Sequence, residues 1–342
     1  MTDFQAILDG NRLALSRLLT QVENNSPESR AALIELFPHT GKAHLIGVTG
    51  SPGTGKSSLV NQLTLHYRKV ENKRVAVVAV DPSSPFTGGA VLGDRVRMRD
   101  LAGDPGVFIR SMATRGSLGG LAQSTANVVR VFDAVGFDVI IIETVGAGQS
   151  EVDIARLAHT TLVVEAPGLG DDIQAIKAGI LEIADILVVN KADRPGVEMT
   201  EKALKSMLEL AHPVQHRFKH HGTYIDIPAQ PVEPQTQVWI PLIQRTISTD
   251  GTGIAELAES IQQHVAHLAR SGDWTLRERT RLEVELDGLI REELVEQFRR
   301  DVPAKHYESV LERIVQRELS PGEAVKLLMN GRFARNAPKK EK

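Results

Sequence analysis

Gly50, Gly55, Lys56 and Ser57 stand in the order and spacing of a complete G-x-x-x-x-G-K-[ST] string, Gly50-Ser51-Pro52-Gly53-Thr54-Gly55-Lys56-Ser57. The chemistry of that spacing is phosphate binding. Main-chain N–H groups can wrap a phosphate only where no side chain intrudes, and a helix starting at the loop's end adds the positive end of its dipole. Lys56 then reaches toward the terminal phosphates of a nucleoside triphosphate, and Ser57 offers its hydroxyl to Mg2+. A plain strand-to-helix turn is the competing reading. The flanks favour the first, because 43–49 reads as a buried strand (Leu45, Ile46, Val48) and 57–67 as an amphipathic helix carrying Leu59, Val60, Leu63 and Leu65.

Asn190-Lys191-Ala192-Asp193 follows the apolar run Ile186 to Val189, and it turns a generic nucleotide site into one for guanine. An ionised carboxylate only accepts hydrogen bonds, so Asp193 matches the adjacent donors of guanine's ring N–H and exocyclic amine, a pair that adenine lacks. Surface turns use the same residue types freely, and the string gains its meaning from its place after a strand, 140 residues beyond the phosphate loop. Thr246 to Ile254 is suited to close over the base with backbone N–H groups of Ser248 and Thr249, a strand-to-helix turn being the alternative.

Two acids end strands. Asp81, after Val77-Val78-Ala79-Val80, is placed for a Mg2+-associated carboxylate, with an Asp-Pro turn as the alternative. Glu143, after Ile140-Ile141-Ile142, precedes Gly146, whose N–H could meet a γ-phosphate in a nucleotide-sensing switch. Gln149 is the candidate for orienting the attacking water. It does not match the water-orienting glutamine of many GTPases, so slow intrinsic hydrolysis completed by a partner is expected. Asp94, Arg95, Arg97 and Arg99 lie on a polar helix, where a solvated face and charge stabilisation are both open. Asp171, Asp172 and Lys177 are further switch candidates, with an acid-capped helix start as the alternative. His216, His220 and His221 invite a metal, but they lie on an irregular loop without carboxylate spacing.

The elements that must position these residues alternate. Apolar runs over 74–80, 107–112, 138–144, 160–166, 186–190 and 238–248 are separated by helical patterns, which predicts an α/β fold with a mostly parallel sheet flanked by helices and ligands at the carboxyl ends of the strands. Residues 3–37 read as a helical extension broken at Asn24-Asn25-Ser26-Pro27. The stretch 213–241 reads as irregular. After Trp274 the chain becomes highly charged with a narrow stripe of Leu282, Leu286, Leu289, Ile290, Leu294 and Phe298, followed by a second helix with Tyr307, Val310, Leu311 and Ile314 and a third starting at Ser320-Pro321-Gly322-Glu323. The expected division is 1–40 N-terminal helical extension, 41–272 nucleotide domain, 273–335 helical arm and 336–342 tail.

With 342 residues, 42% hydrophobic residues and a net charge of −3, the composition gives no bulk reason to bind nucleic acid or an anionic membrane. There are no cysteines, which rules out a disulfide framework or a thiolate metal site. The N-terminus has no basic region followed by an apolar core, and no apolar run has membrane-spanning length, so a cytoplasmic location is expected.

Gly50 to Ser57, Val80-Asp81-Pro82-Ser83-Ser84-Pro85, Gly93-Asp94, Glu143 to Glu151, Gly170 to Gln174 and Asn190 to Pro195 together resemble the MeaB/ArgK family, bacterial counterparts of the methylmalonic aciduria type A protein. The resemblance covers nearly the whole chain. It implies a P-loop GTPase that chaperones adenosylcobalamin-dependent methylmalonyl-CoA mutase or a related mutase, gating cofactor loading and protecting the enzyme, and a homodimer built through the C-terminal arm. It also implies that Gly50 to Ser58 hold phosphates and that Ser57, Asp81 and Glu143 surround Mg2+. Asp94, Glu143 to Glu151 and Gly170 to Lys177 would form three switches, and Asn190, Lys191 and Asp193 would hold guanine beside the Ile247 to Thr249 backbone. The small Ser-Ala pair frequent in the family is Ile247-Ser248 here, so a backbone role is expected. The older family name of an amino-acid transport kinase conflicts with Asp193. A nickel or zinc metallochaperone GTPase would need a Cys/His delivery site, and a small-molecule kinase an acceptor pocket and base.

Overall fold

The computed structural model describes residues 4–8, 10–82, 101, 103–114, 120–144, 157–168, 183–211 and 238–333. Three helices lead in, α1 Phe4–Leu8, α2 Arg12–Glu23 and α3 Pro27–Leu36. The break between the last two has a local cause: Ser26 caps α3 by accepting the Ser29 N–H, and Pro27 takes the first helical position, where its missing N–H costs nothing. Then follow β1 His44–Thr49, α4 Lys56–Lys69, β2 Val75–Pro82, β3 Val107–Thr114, α5 Gly120–Ala134, β4 Val139–Thr144, β5 Thr160–Glu165, β6 Ile186–Asn190, α6 Val197–Ala211, β7 Leu242–Thr246 and α7 Ile254–Ser271.

The strands form one seven-stranded sheet in the order β3-β2-β4-β1-β5-β6-β7, and every neighbouring pair is parallel. Near-continuous apolar strands require cover on both faces. On one face Leu45, Val78, Phe108 and Ile142 pack with Leu18, Leu36 and Phe132 of α2, α3 and α5. On the other, Val48, Ile141, Val164 and Val188 pack with Leu59 and Leu63 of α4 and Leu257 and Ile261 of α7. Toward the far edge of the first face, Val163, Leu187 and Val189 meet Val197, Leu204 and Leu208, the last three from α6. Asp133, at the end of α5, fixes the entry to β1: its carboxylate accepts the N–H groups of Gly41 at 2.6 Å, Lys42 at 3.1 Å and Ala43 at 2.9 Å.

The last strand is shorter than the 238–248 run predicts. Pro241 has no N–H to give a ladder, and before it the Trp239 indole N–H donates to Asp185 O at 2.8 Å instead. Pairing begins at Leu242 against Ile186 and ends at Thr246 against Asn190.

The chain divides into two compact units, Met1–Arg281 and Leu282–Lys342. The boundary falls inside α8, Asp273–Asp301. The second unit continues with α9 Ala304–Val315 and α10 Pro321–Phe333, and its small core joins Val310, Ala324 and Leu328 with Phe298, Val302 and Ile314. Ser320 and Glu323 form a reciprocal cap for α10, with the Glu323 N–H donating to Ser320 Oγ and the Ser320 N–H to Glu323 Oε2. Leu282, Leu286, Leu289, Ile290 and Leu294 of α8 are exposed. Among the described residues, no helix is long and apolar enough to cross a membrane.

The amino ends of the strands carry a buried polar cluster. His44 Nε2 and His264 Nδ1 each lie 2.9 Å from the Thr160 hydroxyl, and His264 Nε2 lies 3.2 Å from Asp185 Oδ1. Arg277, on the first turns of α8, grips Asp185 with two nitrogens at 2.7 and 2.9 Å and donates to His159 O at 2.8 Å. His159 Nε2 meets Glu278 Oε1 at 2.5 Å.

Burial, aided by the nearby His159 and His264, drives the His44 imidazole from an ordinary 6.5 down to about 3, and burial also lowers His159. A base with a depressed folded pKa stays neutral in the fold and binds protons on unfolding. Its contribution to stability is therefore complete above 6.5 and is lost as the pH falls, by about 2 kcal/mol at pH 5 for His44 alone. Urea unfolding followed by fluorescence, with both tryptophans beside this cluster, should show a lower midpoint at pH 5 than at pH 7. Equal midpoints would mean that these rings do not control acid stability.

Candidate nucleotide-binding site

Above the carboxyl ends of the strands, β1 runs into the loop Gly50–Gly55 and α4 starts at Lys56. Two glycines are required by close approach. Gly50 has φ +135°, and a Cβ there would lie 2.1 Å from Val164 O on the adjacent strand. Gly55 has φ +94°, and its Cβ would lie 2.5 Å from Asn190 Nδ2. The loop is thus a cradle of bare backbone, its turn closed by the Thr54 N–H and hydroxyl, both donating to Ser51 O at 3.4 and 3.0 Å. The buried Lys56 ammonium donates to Gly50 O at 2.7 Å and Ser51 O at 3.0 Å, at the loop's rim. Pro52, Gly53 and Ser58 are exposed.

Ser57 and Glu143, which lie 86 positions apart in sequence, meet: the hydroxyl donates to Glu143 Oε1 at 2.6 Å. Parallel pairing explains the encounter. β4 lies beside β1 with Val48 opposite Glu143, and strand alternation turns Glu143 to the same face as Ile141, which packs with α4. Thr144 donates to Thr49 at 3.1 Å and ties the two strand ends together. Asp81 stands at the carboxyl end of β2, one residue past the Val80–Thr144 pair, and its side chain is outside the described residues. A hydroxyl and a carboxylate as neighbours below a phosphate cradle are a hard-oxygen donor set of the kind Mg2+ takes.

On the other side Asn190, the last residue of β6, is a buried staple. Its Nδ2 donates to Thr54 O at 2.9 Å, and its Oδ1 accepts from Thr246 Oγ1 at 3.1 Å, Ser248 N at 3.2 Å and Ser248 Oγ at 2.8 Å. Carbonyls face the nitrogen and donors face the oxygen, so the amide has one orientation. Lys191 has φ +56° and donates from Nζ to Gly53 O at 2.5 Å. Asp193 is exposed on the turn that follows. Ser248 differs from expectation, because its N–H is already spent on Asn190; Thr249 is exposed, and Ile247 pairs with Thr252 in an isolated bridge. The structure thus gathers the phosphate loop, Glu143, Asn190 and Lys191. Asp94, Gly146, Gln149, Asp171, Asp172, Lys177, His216, His220 and His221 lie outside the described residues.

A family model described as methylmalonyl-CoA mutase-associated GTPase MeaB matches residues 15–302. A protein of Pyrococcus horikoshii named as a GTPase is 43% identical over 320 residues, covering 94% of each chain. A mitochondrial methylmalonic aciduria type A homolog of Caenorhabditis elegans is 29% identical over 348 residues, covering 96% of this chain and 82% of its own. Among solved structures, that of a LAO/AO transport system kinase superimposes with a TM-score of 0.65 at 27% identity, covering 97% of this chain and 96% of that one.

Proposed function

Because the chain belongs to the MeaB family of methylmalonyl-CoA mutase-associated GTPases, we propose that it binds and slowly hydrolyses GTP to gate cofactor loading and protect a partner, methylmalonyl-CoA mutase or a related adenosylcobalamin-dependent acyl-CoA mutase. The observation that carries the nucleotide part is the 2.6 Å contact of Ser57 with Glu143 beneath a glycine cradle.

In this reading the loop N–H groups from Gly50 to Ser58 hold the phosphates, and Lys56 swings its ammonium from the loop rim toward the terminal ones. Ser57 and Glu143, joined by Asp81, hold Mg2+, which when bound neutralises charge on the β- and γ-phosphate oxygens. Asp193 reads guanine, Lys191 covers the loop, and Asn190 acts through the backbone it ties together. Gly146 and Gln149 meet the γ-phosphate and the attacking water, while the segments bearing Asp94 and Asp171, Asp172 and Lys177 respond to its loss. That response is the product delivered to the mutase. The exposed leucine stripe of α8 is the surface on which a second copy pairs.

The test is pull-down with purified methylmalonyl-CoA mutase, in GDP and in a non-hydrolysable GTP analogue, together with GTP turnover. Association in at least one state and faster turnover with the mutase present are expected. Neither effect would remove the mutase reading and leave the nucleotide reading intact. Radiolabelled γ-phosphate appearing on an acceptor instead of in solution would favour a kinase.

A further inference from the structure

The polar cluster at the amino ends of the strands gathers around Asp185. Burial works against the Asp185 charge, but bonds from His264 and Arg277 outweigh it and hold the carboxyl below its ordinary range. His264 Nε2 stands 3.2 Å from Asp185 Oδ1 as a charge neighbour, and the Thr160 hydroxyl is shared between His264 Nδ1 and His44 Nε2 at 2.9 Å each. His159 Nδ1 accepts the Leu45 N–H at 3.1 Å, so its own proton sits on Nε2 and goes to Glu278.

The strands that carry these groups also carry the nucleotide site. β1 has His44 at one end and runs into Gly50 at the other. β5 starts with Thr160 and presents Val164 O to Gly50. β6 follows Asp185 and ends in Asn190. Strands of five or six residues buried on both faces are short stiff rods, spanning about 17–20 Å. A displacement of Asn190 relative to Gly50 is thus a displacement of Asp185 relative to His44, at the far ends of the same rods. Arg277 joins two of them, through Asp185 and His159 O.

We propose that this cluster is a latch through which the bound nucleotide sets the hold on the root of α8, residues 273–281. The proposal rests on the GTP reading above.

The chain supplies its own reporter, since both of its two tryptophans sit in the cluster. Trp274 lies 4.0 Å from the His159 ring and Trp239 lies 4.8 Å from His264, centroid to centroid. In a Trp239→Phe chain, the emission of Trp274 should differ between the GDP form and the GTP-analogue form. Adding Arg277→Met should abolish that difference and, by reciprocity, shift the ratio of the two nucleotide affinities by about five-fold or more. If Arg277→Met loses its native circular dichroism, Glu278→Gln is read in its place with the same expectation. Calorimetry run in parallel separates the possible failures. Binding of both nucleotides with identical Trp274 emission and an unchanged affinity ratio overturns the latch alone. No binding of either nucleotide overturns the latch and the GTP reading together.

Discussion

Gly50→Ala is expected to weaken nucleotide binding and lower stability more than any other single methyl addition in the loop. The new Cβ would need the space of Val164 O, 2.1 Å away, in a backbone conformation of φ +135° that side chains rarely adopt. The neighbour is a strand carbonyl in the middle of the sheet, so it cannot rotate aside. Either β1 and β5 part or the loop rebuilds. A cost of about 3 kcal/mol or more is expected in thermal or urea unfolding, and about 100-fold or more in nucleotide affinity by calorimetry, because the N–H groups no longer converge. An alanine variant that bound GTP within ten-fold of the parent would show that this loop is not the phosphate cradle.

Asn190→Ala is expected to release nucleotide quickly. The substitution removes five hydrogen bonds at once, one of them a long one to Gly55 O, and leaves the carbonyl of Thr54, the N–H and hydroxyl of Ser248 and the hydroxyl of Thr246 to find new partners. Buried groups stripped of partners cost about 1–3 kcal/mol each, and relaxation recovers part of that, so about 3 kcal/mol is expected for the site. Dissociation of a fluorescent GDP should accelerate by about 100-fold. Asn190→Asp separates the two halves of the staple, since a carboxylate still accepts from Ser248 and Thr246 but repels Thr54 O; its rate should lie between those of the parent and the alanine variant. A dissociation rate unchanged in Asn190→Ala would mean that the phosphate loop holds its shape without β6.

The strands could be read from the sequence because a parallel sheet buries whole runs of Val and Ile, and runs such as Ile186–Asn190 and Val139–Thr144 end where the pattern ends. The phosphate loop could be read because its chemistry demands fixed spacing. The start of β7 could not, since a single indole bond from Trp239 and the missing N–H of Pro241 displace it to Leu242. The Asn190 staple is hidden for a different reason: the motif marks the residue, but its partners lie at 54, 55, 246 and 248, and only the folded sheet brings them together. The histidine cluster had no motif at all. Its one trace is positional, with His44, His159 and Asp185 each standing at or just before the first residue of an apolar run, where polar side chains have no place in a continuous core unless they answer one another.

The order of strands in the sheet also governs how the molecule is born. β1, with its loop, leaves the ribosome early, yet neither of its sheet neighbours follows directly: β4 starts at Val139 and β5 at Thr160. The staple that braces the loop closes only when Ser248 has emerged, about 200 residues after Gly50, or roughly 10–40 s of synthesis at ordinary elongation rates. Until then the loop can stand only against β4 and β5, without the Asn190–Ser248 bonds, so the complete nucleotide site forms when the domain is almost finished.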